Sequence, residues 1–299
     1  MKATRHAFKP TKATAPIRHP LKPVSIEKKM AEAGEVPSWP SFRGQAKLVG
    51  TSTNGLVTVY IDASLGQPAE QNAKDLVNDA DRIVTANNTI FGFKGGKVEV
   101  IIFAMDGATD GTGGADHMGC DYVTGAAIEV CASFGNSARV SALFEAELSE
   151  CSMNGRLCGF STGEALSRWC ASVIGNNALA DFATAPTWFN EGMLNYVDET
   201  DQTDQNPIST GCGMAFLSWL MGKKGYKLDQ IAQAMVKLGD SGTLAQLYAH
   251  LTSEDETNAF LKFLADVRAL DNVTTDDPFG AATQPTLKAQ QPPNIMALA

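Results

Sequence analysis

Glu147 and Glu150 stand three residues apart in Ser137–Met153, a stretch whose apolar residues recur at helical spacing. Val140, Phe144, Glu147 and Cys151 follow at i, i+4, i+7 and i+11 and so share one face, with Leu143 and Glu150 alongside. A carboxylate on an apolar face is costly to bury unless a hydrogen-bond donor, a cation or a metal meets it. The pair therefore marks either an acid/base or cation-binding site or an acidic edge that reaches solvent. Glu164 and Glu191 on later segments, and His117 in GGADHMGCDY, are the groups that could complete such a site. Each also has a structural role open to it. Ser161 and Glu164 form S-x-x-E, a capping box. Glu191 early in a helix would complement the helix dipole, and His117 could be a glycine-rich loop residue. His6 and His19 fall in the N-terminal region and His250 late in a predicted helix. Asp106, Asp110, Asp116 and Asp121 could cradle Ca²⁺, but their spacing is not that of an EF-hand. Asp198, Asp201, Asp204 and Asn206 read better as a solvated acidic loop.

The elements that must hold these groups are legible in outline. Leu56–Asp62, Lys97–Met105 and Ala126–Cys131 read as strands from their β-branched or continuous apolar runs. Pro68–Thr85 has helical apolar spacing. Beyond Asn136 the pattern is helical: Ser137–Met153, Thr162–Ile174, Thr187–Val197, Ser209–Met221, Leu228–Leu238, Thr243–Leu251 and Asp255–Val267. The order predicts an α+β fold, an N-terminal β-α-β sheet portion followed by a mostly helical half. It also predicts that Ser137–Met153 packs on Thr162–Ile174, burying Phe144, Leu148, Leu166, Trp169 and Val173.

Three segments carry a resemblance to the zincin metallopeptidases. Ala146–Glu150 (AELSE) resembles H-E-x-x-H, in which two histidines bind zinc and the glutamate is the general base. Gly163–Arg168 (GEALSR) is similar to the N-E-x-x-S-D segment that supplies the glutamate ligand in thermolysin-like gluzincins. Pro186–Tyr196 (PTWFNEGMLNY) is similar to P-x-W-x-x-E-G-x-x-x-Y, which carries that ligand in other gluzincins. The resemblance covers roughly residues 47–267 in element order. The GCD, AELSE and GEALSR segments are also similar to those of bacterial proteins that carry no established activity. The departures are specific: Ala146 and Glu150 stand where the zinc histidines belong, and only Glu147, the base, is kept. The gap from Glu150 to Glu164 is shorter than in thermolysin-like enzymes, and that to Glu191 is longer than the common gluzincin gap. The resemblance thus implies a zincin-like fold with a degenerate centre. Glu147 would hold the catalytic position, with Glu150, Glu164, His117 and Glu191 as the candidate ligands of a divalent metal. Carboxylates alone suit Ca²⁺, Mg²⁺ or Mn²⁺ better than Zn²⁺.

Composition bounds the rest. Of 299 residues, 44% are hydrophobic and 19% charged, as expected of a chain with a core. The longest apolar runs, Val98–Met105 and Met214–Met221, are too short to cross a bilayer. Ten Lys/Arg against three Glu give residues 1–47 a charge of +7, so of the net −9 the remainder carries −16. An acidic body disfavours nucleic acid, whose binding rests on phosphate neutralisation. Residues 1–45 and 273–299 are too poor in apolar pattern to order and are expected to be disordered tails around a domain over 46–272. No apolar run follows the N-terminal basic residues, so no Sec-type signal peptide is expected. Cytoplasmic residence or export by a non-Sec route both stay open. Six cysteines allow 15 pairings. Cys151 and Cys158 could staple the Asn154-Gly155 turn, or the thiols could be free and buried.

The functional expectation is a metallopeptidase-like pseudoenzyme, a binding or structural protein for a peptide or protein partner, without ordinary zinc-peptidase activity. The alternative is an active metal-dependent hydrolase using an unusual carboxylate-rich site. A purely structural protein is the third reading. If Glu147, Glu150 and Glu164 converge, they cannot all stay ionised without a counter-charge. Either a cation binds, or one acid keeps its proton near neutral pH.

Overall fold

A computed structural model describes residues 38–109, 113–123, 127–134 and 136–282. Strands β1 (Ala46–Thr51), β2 (Val57–Asp62), β3 (Val98–Phe103), β4 (Ala115–His117) and β5 (Ala127–Cys131) form one sheet in the order β1-β2-β3-β5-β4. The central three run parallel, and both edge strands run antiparallel to their neighbours. Helix α1 (Gln67–Phe91) crosses from β2 to β3, and α2 (Ser137–Ser152) follows β5. The helical half comprises α3 (Ser161–Ile174), α4 (Ala185–Asn190), α5 (Pro207–Gly222), α6 (Leu228–Leu238), α7 (Leu244–Thr252) and α8 (Ala259–Arg268). The α+β class expected from the sequence is the class observed. Among the described residues no helix is long and apolar enough to cross a membrane.

Two apolar cores meet at the α2–α3 pair. Val59, Ile61, Val100, Ile102, Ile128 and Val130 on one sheet face pack against Leu76 and Ile83 of α1 and Phe144 and Leu148 of α2. The second core gathers Trp169 of α3, Trp188 of α4, Phe216 and Trp219 of α5, Tyr248 of α7 and Phe263 of α8. Helix α5 is buried from Ser209 to Met221, as suits a helix that is apolar on every side. Phe144, Leu148, Leu166, Trp169 and Val173 are all buried, as expected. Two glycines let α3 sit close to its neighbours. A Cβ on Gly163 would lie 2.1 Å from the Leu157 carbonyl oxygen, and one on Gly213 would lie 2.6 Å from Ala165 Cβ.

Several boundaries differ from expectation. Helix α1 runs on to Phe91, although Asn87, Asn88 and Thr89 are weak helix formers. Tertiary bonds offset that weakness: buried Asn87 donates to Glu145 and Ser149 of α2. The helix expected over Thr187–Val197 ends at Asn190, because Gly192 and Met193 take positive φ of 92° and 57° and turn the chain. Edge strands β1 and β4 were not expected. One adjoins the supposed tail and the other is three residues in a glycine-rich loop.

Both tail boundaries need correction where the structure describes them. Trp39 and Phe42 are buried on the outer sheet face with Ile101 and Ala127. Beneath this strap Glu129 of β5 is fully buried. Its carboxylate accepts from the Ser41 and Phe42 amides at 2.8 and 2.7 Å and from the Ser41 hydroxyl. At the other end, Asp276 accepts from the Thr184 and Ala185 amides at 2.7 Å each. Asp277 accepts from Ser218 and from the Ala281 and Ala282 amides. Apolar periodicity cannot register such polar anchoring, so the domain reaches at least from 38 to 282. The remaining tail expectations, 1–37 and 283–299, lie outside the described residues.

The strap should be measurable. A buried carboxylate stripped of its donors costs about 3–5 kcal/mol. Deleting residues 1–44 should therefore lower the unfolding free energy by about 3 kcal/mol relative to deleting 1–37. Equal denaturation midpoints for the two truncations would show that the strap contributes nothing.

Candidate functional site

The end of α2, the start of α3 and edge strand β4 converge. Asn136 caps α2, accepting from the Arg139 amide at 3.0 Å, and β4 pairs with β5 so that His117 faces α2. The imidazole Nε2 lies 2.7 Å from Glu150 Oε2 and 3.9 Å from Glu147 Oε2. Nδ1 hydrogen-bonds the Gly119 carbonyl. Ser167 of α3 donates to Glu150 Oε1 at 3.1 Å, and Glu164 shares a hydrogen bond with Glu150. All three side chains of the His117–Glu147–Glu150 group are mostly buried, at 11%, 14% and 18% exposure. The sequence-predicted candidates His117, Glu147, Glu150 and Glu164 are thus brought together. Glu191 is not: it is exposed at the C-terminal end of α4, and none of the cluster's bonds reaches it. Its expected place early in a helix is also corrected, since the turn at Gly192 makes it the helix's last cap.

Protonation follows from this packing. Burial alone would pull the His117 pKa down. The hydrogen bond and charge of Glu150, the charge of Glu147 and the Gly119 carbonyl outweigh it and raise the value to about 10. The ring is therefore an imidazolium at neutral pH, donating through both nitrogens. Glu150 also suffers from burial, but His117, Ser167 and Glu164 carry it below the usual carboxylate range. Burial and the charges of Glu150 and its neighbours push Glu147 well up. Burial and Glu150 lift Glu164 to about 8, against the pull of Arg168. Near pH 7 the cluster thus pairs an imidazolium with the Glu150 carboxylate, while Glu147 and Glu164 are biased towards their protonated forms.

That arrangement does not suit a metal. Both ring nitrogens of His117 and both oxygens of Glu150 are already engaged, and Ala146 offers no donor where the first zinc histidine would stand. Among the described residues no group of three or more His, Cys, Asp or Glu is placed to hold a metal ion. What the cluster can do is hold and exchange protons at Glu147 and Glu164.

Several supporting residues escaped the sequence reading. Arg168, one turn after Glu164, lies 3.6 Å from it and 3.5 Å from Asp276. Asp276 fell in the supposed tail, so nothing flagged it. The capping-box role for Glu164 is not seen: Phe160 is the N-cap, and Ser161 instead accepts from the Asp201 amide at 3.1 Å. Glu145, on the opposite side of α2, is buried with Asn87 and Ser149, and its Oε2 has no partner. The Asn87 side chain continues to Ser152, whose hydroxyl meets Tyr122 at 2.8 Å. Cys158 pairs with Cys120, not with Cys151, which is buried and faces inward from α2. Asp116 and Asp121 of the proposed Ca²⁺ cradle accept local amides, from His117 and Val123. Asp110 lies outside the described residues. Asp201 accepts from Asn206 and Ser209 and so ties its own loop.

Comparison with known protein families finds no match, and comparison with curated proteins finds none either.

Two outcomes follow from these protonation states. In His117→Ala, Glu150 loses its counter-charge, and breaking such a buried pair costs about 3–5 kcal/mol. The raised His117 stabilises fully below about 6.5 and loses that effect as pH rises through about 10, while the depressed Glu150 contributes above about 4.5. The deficit of the variant should therefore peak between about pH 4.5 and 6.5 and shrink towards 10. Denaturant unfolding across that range checks it, and His117→Gln/Glu150→Gln should recover most of the loss.

Glu145, like His117, has its pKa raised, so its contribution too is lost as pH rises, but here removing the charge should stabilise. Burial lifts it from 4.5 to about 8, so folding takes up a proton between those values. Its contribution is complete below about 4.5 and falls as pH rises to about 8, a swing on the order of 4 kcal/mol. Glu145→Gln keeps the hydrogen bonds without the charge. It should therefore gain stability over the parent between pH 5 and 8. A constant difference over that range would count against a protonated Glu145.

Proposed function

We propose that the chain is a zincin-like domain whose zinc centre has been replaced by an internal ion pair, and that it works by binding a peptide or protein instead of cleaving one. The His117–Glu150 pair carries this reading. It supplies from within the protein the positive charge that a metal would bring, and it occupies the donors a metal would need. The placing of AELSE on a helix packed against the GEALSR helix, beside an antiparallel edge strand, supports the zincin-like reading. Ala146, and the lack of a second imidazole near Glu147 among the described residues, support the absence of ordinary zinc-peptidase turnover. The cluster would instead present the Glu147 carboxyl group and a charged pair to a partner's polar groups.

The deciding experiment is metal analysis of protein purified without chelator, together with peptidase assays on the parent and Glu147→Gln. The binding reading expects substoichiometric metal and no turnover that chelator or Glu147→Gln removes. Stoichiometric metal with turnover abolished by Glu147→Gln would instead establish the hydrolase. A linked prediction uses the imidazolium as the internal cation. Millimolar Ca²⁺ or Mn²⁺ should shift the parent's Tm by no more than about 1 °C but raise that of His117→Ala by several degrees, because only the variant leaves the carboxylates without a counter-charge. A strong response in the parent would show that a metal displaces His117.

A further inference from the structure

His117 owes its seat to a short limb. Strand β4 has three residues and hydrogen-bonds on one side only, to β5. Past it, the Met118 amide bonds the Ala127 carbonyl, and the Gly119 carbonyl receives the His117 ring. The next residue, Cys120, is disulfide-bonded to Cys158, with Cα atoms 5.9 Å apart. Cys158 lies in the turn between α2 and α3, the helices that carry Glu147, Glu150 and Glu164. In that turn Asn154, Gly155, Leu157 and Gly159 all take positive φ. The Gly155 amide donates to the Cys120 carbonyl at 2.6 Å, and the Leu157 amide is held by Asp240 at 2.7 Å. The disulfide therefore ties the wall bearing the cation to the wall bearing the carboxylates. It is also reachable. Cys120 and Cys158 are partly exposed, whereas Cys131, Cys151, Cys170 and Cys212 are buried.

We propose that the Cys120–Cys158 disulfide is a redox-operated clasp that holds His117 on Glu150, and that its reduction by a dithiol frees the histidine and uncovers the carboxylates of α2 and α3. The proposal rests on the reading of this cluster as the functional site. In the step, a thiolate of the dithiol attacks one sulfur and breaks the S–S bond, giving a mixed disulfide and one cysteine thiolate. The second thiol of the reductant displaces the other cysteine. Both cysteines end as thiols, and the two-electron oxidation appears as the reductant's own disulfide. Once the tie is cut, the pairing to β5, the Gly155 amide on the Cys120 carbonyl and the imidazolium hydrogen bonds remain to hold the limb. A further noncovalent link, Tyr122 to Ser152, keeps the neighbouring turn docked.

The test is carbethoxylation of histidines by diethyl pyrocarbonate in the full-length protein, read peptide by peptide by mass spectrometry. His250, exposed on α7, is the internal reference. In the oxidised protein His117 should react far more slowly than His250. After dithiothreitol, and separately in Cys120→Ser/Cys158→Ser, its rate should rise by about tenfold or more, the scale set by losing charge-assisted hydrogen bonds. The His250 rate and the near-ultraviolet circular dichroism should hold steady, and Cys151→Ser should behave like the parent. An unchanged His117 rate after thiol titration confirms two new thiols would overturn the proposal. So would global unfolding on reduction, which would make the bond a general staple, or the absence of the disulfide from the oxidised protein. The readout needs no ligand or turnover, so failure of the binding reading is seen separately, in the metal and peptidase assays.

Discussion

Carboxylates gathered where two helices and a strand exclude water must find positive charge or keep their protons, and this constraint organises the molecule. On α2 and α3, Glu147, Glu150 and Glu164 are brought together by the same packing that buries Phe144, Leu148, Leu166 and Trp169. The apolar contacts fix where the acids must sit, and electrostatics then decides their state. One charge is retained, on Glu150, because His117 and Ser167 meet both of its oxygens. The other two acids are pushed towards their neutral forms, because burying a second and third charge beside Glu150 is costly.

The same rule recurs elsewhere with different partners. Glu129 in the middle of β5 keeps two backbone amides and a hydroxyl from the strap at Ser41 and Phe42. Asp276 takes the two amides that open α4 and faces Arg168. Glu145 has only side-chain donors on one oxygen, and there the proton stays. These buried acids explain why the folded chain extends beyond its apolar pattern. Segments poor in hydrophobic residues are fixed at both ends by hydrogen bonds to carboxylates that the core has already placed.

This accounts for what was legible in the sequence. Strands β2, β3 and β5 and most helices could be read from periodicity, since burial on one face or all round leaves that signal. The neighbouring positions of Glu147 and Glu150 were legible for the same reason, because helical phase puts both beside an apolar stripe, whereas Glu164 entered only through the resemblance of GEALSR to a ligand-bearing segment. What could not be read are pairings across the chain: His117 on Glu150, Cys120 with Cys158, Asp276 with α4, Asn87 with Glu145. Each joins a residue with little local pattern to one far away in sequence. The turn after Asn190 and the short strand β4 were missed because Gly192 and a three-residue edge leave too few residues to set a period. Glu191 was drawn into the candidate set by a local motif alone, and a local motif carries no information about where the next turn sends the chain.

The cluster's hydrogen bonds set what could replace its present state. A divalent cation entering among these residues would have to displace the imidazolium from Glu150 and compete with protons for Glu147 and Glu164, whose pKa values are raised. Entry would therefore release protons, and it would be penalised more steeply as pH falls. It would also leave His117 without the acceptor that now holds its charge. A polar partner faces no such demand. It can meet the carboxyl groups by hydrogen bonds without undoing the ion pair. That difference supports the proposed binding role over a metal site, because only the former leaves intact the pair on which the burial of its neighbours depends.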